Sequence, residues 1–452
     1  MFESTTLHGR VTIVSRNLTS YVAIKSVVDK IKLIDTHEHL PQESERIKGK
    51  PDPFATFLIH YISSDLVSAG MPKDLLYRVR DVSLPLNERW RLLAPFWERI
   101  QNTGYARALN LAVKGLYGID GLNERTCKDL ELKMRSANKL GLYRWVLKEK
   151  AGVDLSILDN ETVDVDRSLF APVIRFDDFI LLKERGDIEA LERKCEMKIH
   201  SLSDLTEALR LRFEKLSKSI VGVKIALAYR RPINFEKTTS YDAERVFNKI
   251  YSQKVFRRIE LPDGSRVNVP EGISFEEAKP LQDFIVHKVI QLSGTLQLPI
   301  QVHTGLQEGN ENVIASSNPV HLVNLFMEYK EVKFDLFHGG YPYTSEVATL
   351  AKNFPNVYVD LCWLHIISPA VARRVLSELL DTVPSNKILG FGGDYRFVEG
   401  VYGHALLARE NTARVLTEKV EDGSLAQKGV LLLAQRLLRD NANELYFKRG
   451  RR

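Results

Sequence analysis

Eight short apolar runs of the kind that form β-strands punctuate this chain, and four of them end in groups that can ligate a metal. The runs read at 32–37, 152–158, 169–176, 220–227, 298–303, 332–338, 356–361 and 388–394. In the second half, segments at helical spacing (275–294, 319–330, 342–353 and 369–382) separate them. Leu202, Leu205, Leu209, Phe213 and Leu216 mark one apolar helix face, and Ser201 with Asp204 offers a capping box at its start. Alternation of strand and helix demands a parallel sheet with right-handed crossovers. Eight such strands favour a closed (β/α)8 barrel, an α/β fold, over an open sheet.

The 452 residues divide into a lead-in, 1–30, and a barrel domain, 31–448. Residues 21–30 suit a short helix before the first strand. Strand 1 is followed by about 100 residues, roughly 50–150, too long for a simple connection and therefore read as a helical insertion. Trp90, Leu93, Trp97 and Ile100 recur there at spacings of three and four, one buried helix face. A second excursion, about 229–280, carries a turn signature at Leu261-Pro262-Asp263-Gly264-Ser265, and a helical tail ends the chain.

Composition excludes several classes. Apolar residues are 44% and charged residues 27%, an ordinary globular balance, and the net charge of +6 is scattered rather than clustered. Nucleic acid is not an expected partner, and the basic end, Lys448 to Arg452, reads as a solvated tail. No apolar run approaches the roughly 20 residues that span a bilayer, and Met1–Ser20 has no apolar core of a signal peptide. Three distant cysteines, Cys127, Cys195 and Cys362, fit a reducing compartment. The expectation is a cytoplasmic protein acting on a small-molecule substrate, with the apolar insertion as a contact surface for a homo-oligomer.

The chemistry gathers at strand ends. His37 and His39 stand two apart at the end of the first run, so an extended backbone points both imidazoles to one side. His303 ends the fifth run, His338 the sixth and Asp394 the eighth, while Lys224 lies inside the fourth. A barrel collects such groups at the C-terminal ends of its strands. Imidazoles with a carboxylate suit Zn²⁺ first, or Mn²⁺ or Fe²⁺, better than the oxygen-seeking Mg²⁺ and Ca²⁺. A metal held by His37, His39, His303 and Asp394 would lower the pKa of a water from about 15.7 to about 7. Asp394 would take up and return the proton, and His338 would polarise a carbonyl or hold a second metal.

The ordered set His37-x-His39, Lys224, His303, His338, Asp394 resembles the amidohydrolase superfamily. Asp35-Thr36-His37-Glu38-His39, Val302-His303-Thr304-Gly305, Phe337-His338-Gly339-Gly340 and Phe391-Gly392-Gly393-Asp394 are similar in particular to its amidohydrolase-related branch. That resemblance, over roughly 30–448, implies a (β/α)8 barrel, one or two divalent metals and hydrolysis. It makes His37, His39, His303 and Asp394 ligands and Asp394 also the proton shuttle, with Lys224 either a carboxylated bridge between two metals or a lysine that caps the barrel or binds substrate. The expected reaction is water attack on a C–N or ester-type C–O bond. The branch also resembles metal-dependent decarboxylases and uronate isomerases, so a lyase or a sugar-acid isomerase is the alternative.

Arg175, Tyr229, Arg396 and Trp363 lie in or just beyond strands 3, 4, 8 and 7 and are the candidate substrate contacts. Arginines there would pair with a substrate carboxylate. His60, His287 and His321 fall in helical pattern, and His8 and His200 in polar surroundings, with no site role expected. His365 and His404 read as rim residues, and Cys362 as a small buried one.

Overall fold

The computed structural model describes residues 4–7, 10–13, 20–252, 256–260, 266–270 and 272–448. Eight parallel strands form one sheet in chain order: β1 (Leu33–Glu38), β2 (Val153–Asp159), β3 (Phe170–Arg175), β4 (Gly222–Ile225), β5 (Ile300–Val302), β6 (Phe334–Leu336), β7 (Val357–Asp360) and β8 (Ile388–Leu389). No ladder joins β1 to β8. Single hydrogen bonds close that seam instead: Thr36 donates to the Phe391 carbonyl, and Asp394 donates to that of His37 at 2.7 Å. The architecture is the (β/α)8 barrel.

All six residues of β1 are buried, as strands covered on both faces require. Strand β8 is shorter than the run at 388–394 suggests. Gly390 turns its N–H to the Leu437 carbonyl, and Gly393 turns its own to the carboxylate of Asp35. The backbone thus leaves the ladder in order to seal the barrel. No helix stands between β2 and β3, and the helix expected over 319–330 is a 3-10 turn, Pro319–Leu322, followed by Val323–Glu328. Ser201 caps helix Leu202–Leu216 by accepting from Asp204 N, but the Asp204 carboxylate reaches back to His200 N rather than completing the box.

The insertion after β1 is helical throughout, with Trp90, Leu93, Trp97 and Ile100 on the buried face of Leu86–Ile100. The second excursion contains helix Ser240–Tyr251 and an antiparallel hairpin, Phe256–Glu260 with Arg266–Pro270. The turn expected at 261–265 lies outside the described residues, as do His8 and most of the basic end. The last helix, Asn441–Phe447, packs Ala442, Leu445 and Tyr446 against Ile34, Ile157, Val173 and Leu389. Tyr446 reaches into the barrel, where its hydroxyl donates to Asp335 on β6 and accepts from Gln301 on β5. Among the described residues, no helix is long and apolar enough to cross a membrane.

Candidate metal centre

Strand β1 delivers His37 and His39 to the same side. Their Nε2 atoms lie 3.2 Å apart, and Asp394 Oδ1 is 3.2 Å from His39 Nε2 and 3.7 Å from His37 Nε2. The backbone carbonyl of Asp159 accepts from His39 Nδ1 at 2.9 Å, which leaves the Nε2 lone pair facing the cluster. Two imidazoles and a carboxylate converging within 4.8 Å form a donor set that fits a divalent transition metal.

A second pair of rings adjoins it. His338 donates through Nδ1 to the Cys362 carbonyl at 2.9 Å, and His303 donates through Nε2 to the Leu306 carbonyl at 3.1 Å. Carbonyls only accept, so these contacts fix both tautomers. The remaining nitrogens, His338 Nε2 and His303 Nδ1, then face each other at 3.1 Å with two lone pairs. A cation or a shared proton between them removes that repulsion. His303 is therefore paired with His338 and does not stand among the three groups around His37. The second convergent trio is His338, Cys362 and Asp394.

Lys224, on β4, is buried, and its Nζ lies 3.5 Å from the centre of the Phe337 ring. No carboxylate oxygen of the described residues comes within ion-pair distance. Burial lowers the ammonium to about 8 against the opposing pull of Asp159 and Asp394. Burial alone would raise Asp394, but the neighbouring imidazoles, His39 first and then His37 and His338, hold it well below the usual carboxylate range. Glu38, on the opposite side of β1, is raised well above that range by burial and by Asp35 beside it. It accepts from Tyr395 N at 2.8 Å, while Asp35 accepts from Gly393 N at 2.8 Å and from Ser156 Oγ at 2.9 Å. These two carboxyls brace the β1–β8 seam from behind.

The backbone is strained where the chemistry is. His338 (φ 63°), Trp363 (φ 65°) and Asp394 (φ 57°) all adopt left-handed conformations.

Residues 264–448 match the family model described as amidohydrolase. Protein fluG of Emericella nidulans is 31% identical over 237 residues, which is 50% of this chain and 26% of that protein. The match thus spans about a quarter of that curated relative. Among solved structures, uronate isomerase from Thermotoga maritima superposes with a TM-score of 0.76 at 18% identity, over 94% of this chain and 97% of its own. Glucuronate isomerase from Caulobacter crescentus gives 0.76 at 16%, over 96% and 94%. At such identity these two likenesses establish the fold.

The cluster of His37, His39 and Asp394 sits in a cavity of about 680 Å³ whose lining also includes His303 and Lys224. Of the candidate substrate contacts, Arg175, Tyr229 and Arg396 line it too. Arg175 is gripped by Asp159 through Nε (2.8 Å) and Nη2 (2.5 Å). Tyr229 packs on the His303 ring and its hydroxyl accepts from Glu308 N. The Arg396 side chain is 57% exposed and leans toward Glu308 at 3.7 Å. Trp363 does not line the cavity: it is 1% exposed, packed among Tyr61, Tyr105, His60 and Tyr395 behind the wall. His365 and His404 are not on the rim either. Both are wholly buried, bonded to the Gly390 and Gly393 carbonyls beneath the β8 turn.

Three site residues escape a reading of the sequence. Asp159 ends β2, with Oδ2 at 3.8 Å from His37 Nε2 and 3.9 Å from His39 Nδ1. Its signal was its place one residue past an apolar run. His60 precedes helix Tyr61–Ser68 rather than lying within it; at φ 60° it lines the cavity, with Nε2 3.6 Å from Glu308 Oε2. Nothing local in the sequence announces either His60 or Glu308, because they meet only through the packing of the insertion on the loop after β5.

Proposed function

We infer that this protein is a metal-dependent hydrolase that directs water to a C–N or ester-type C–O bond of a small, carboxylate-bearing substrate. The convergence of His37 Nε2, His39 Nε2 and Asp394 Oδ1 at the base of the cavity carries this reading. A divalent ion bound there supplies a Lewis acid and lowers the pKa of water. Asp394, kept ionised by its imidazole neighbours, accepts a proton from the attacking water and passes it to the leaving group. His338 Nε2 and His303 Nδ1, 3.1 Å apart, would hold a second cation, with Lys224 as the candidate bridge once carboxylated; a lysine lowered to about 8 reaches the neutral form that this needs at little cost. Arg175, oriented by Asp159, faces the cavity as the partner for a substrate carboxylate.

A sugar-acid isomerase is the second reading. His60 and Glu308 line the same cavity as Asp394, so proton carriers stand at separate points around a substrate, as transfer between neighbouring carbons requires.

Metal content of protein purified without chelator or metal-affinity resin tests the centre, comparing wild type, Lys224→Ala and His37→Ala. About two equivalents falling to one in Lys224→Ala support the bridged pair. One equivalent indifferent to Lys224 leaves a single-metal centre, and none after reconstitution rejects the proposal. Turnover in ¹⁸O-water then separates the readings: a hydrolase product carries the label as net addition of water, whereas an isomerase product keeps the substrate's mass.

A further inference from the structure

Part of the same cavity's lining is not used by this chemistry. Besides Arg175 the lining includes Arg212 of helix Leu202–Leu216, Arg230 of the turn after β4, and Lys194 of helix Arg185–Cys195. Lys194 is engaged by Asp178 at 2.6 Å. The guanidinium groups of Arg212 and Arg230 have no hydrogen-bond or ion-pair partner among the described residues. The neighbouring Arg231, by contrast, is buried and held by Asp283 at 2.6 Å, a structural role.

Opposing charge on this part of the lining is small. Asp178 is taken up by Lys194, and burial pushes Asp177 up to about 7. Glu308 leans toward Arg396, which leaves the exposed Glu161 against two unpaired guanidiniums in the lining. Ile174 and Leu181 line the cavity as well, an apolar stretch suited to a short carbon chain. A guanidinium presents a planar fork of donors matched to carboxylate and phosphate oxygens, and two of them lining one cavity favour an anion over a neutral group.

We propose that Arg212 and Arg230 form a second anion subsite, and that the substrate carries two acidic groups: one toward Arg175 and the metal, and a distal carboxylate or phosphate held by this pair. The assignment rests on the hydrolase reading for its inner end only. A simple monoacid leaves Arg212 and Arg230 without a partner, whereas a diacid engages them.

Calorimetric titration of the full, metal-loaded chain with butyrate, glutarate and 4-phosphonobutyrate tests this. Expected is binding of a dianion about tenfold tighter than that of butyrate, the difference made by one added charge-assisted contact. Arg212→Gln/Arg230→Gln should remove that preference while leaving butyrate affinity and metal content unchanged, and Arg230→Gln alone should remove part of it. Whichever dianion gains more identifies the distal group as carboxylate or phosphate. Equal affinities for butyrate and both dianions in wild type overturn the proposal, and so does a preference that survives in the double variant. Metal content recorded on the same samples keeps the two ideas separate: a preference for dianions in a chain that holds no metal rejects the hydrolase and retains the subsite.

Discussion

A Cβ atom placed on Gly393 would stand 1.6 Å from Oε1 of Glu38. A side chain at the residue before Asp394 would therefore have to displace the buried carboxyl behind β1, which fills the space it would need. Gly393→Ala is expected to destabilise the barrel by about 1–3 kcal/mol through overpacking and to reduce metal content by shifting Asp394. The urea midpoint and metal analysis read both effects. Adding Glu38→Ala should recover part of the lost stability; no recovery would assign the strain elsewhere.

Asp159 touches both sides of the site, its carbonyl on His39 and its carboxylate on Arg175. Asp159→Asn keeps the carbonyl but weakens the charge that faces His37 and His39. Metal affinity, measured by competition with a chromophoric chelator, is expected to drop about 10- to 100-fold, the usual loss for a group supporting the ligands. An unchanged affinity would confine Asp159 to orienting Arg175.

Tyr446→Phe removes the hydroxyl that donates to Asp335 inside the barrel. Asp335 is buried, and loss of a partner from such a group costs about 1–3 kcal/mol. Equilibrium unfolding should show this loss with metal stoichiometry intact, since Tyr446 bonds inside the barrel and not to the ligands.

Asp177 gives a pH signature. Burial first, opposed by Arg175, raises its pKa to about 7 in the folded chain against about 4 when unfolded. The folded state therefore binds this proton more tightly, and the resulting stabilisation is complete below about pH 4 and lost as pH rises through 7. Stability of Asp177→Asn relative to wild type should accordingly improve between pH 4 and pH 7. A constant difference across that range would remove Asp177 as a titrating group.

Metal removal should lower the unfolding temperature of wild type, because a ligand that binds only the folded state adds about 2.7 kcal/mol at a hundred times its Kd. His37→Ala and Asp394→Asn should abolish the metal-dependent difference in a thermal melt with and without chelator. A shift that persists in both would place the ion elsewhere.

The eight strands, and His37, His39, His303, His338 and Asp394 at or just beyond their ends, were legible along the chain. Strand period and βα order are local properties, and a parallel barrel turns them into a common location. Lys224 was legible for the same reason, as a charge inside an otherwise apolar run. Packing set the rest. It placed His303 against His338, because ring pairing depends on which carbonyl each other nitrogen meets. It brought His60 and Glu308 into the cavity by docking the insertion on the loop after β5, a contact 248 residues apart along the chain. It withdrew Trp363, His365 and His404 into the core, since a strand-end position fixes where a residue starts but not which way a left-handed turn or an abutting helix sends its side chain. Periodicity encodes the frame; the distance between groups remote in sequence is set only when the core packs.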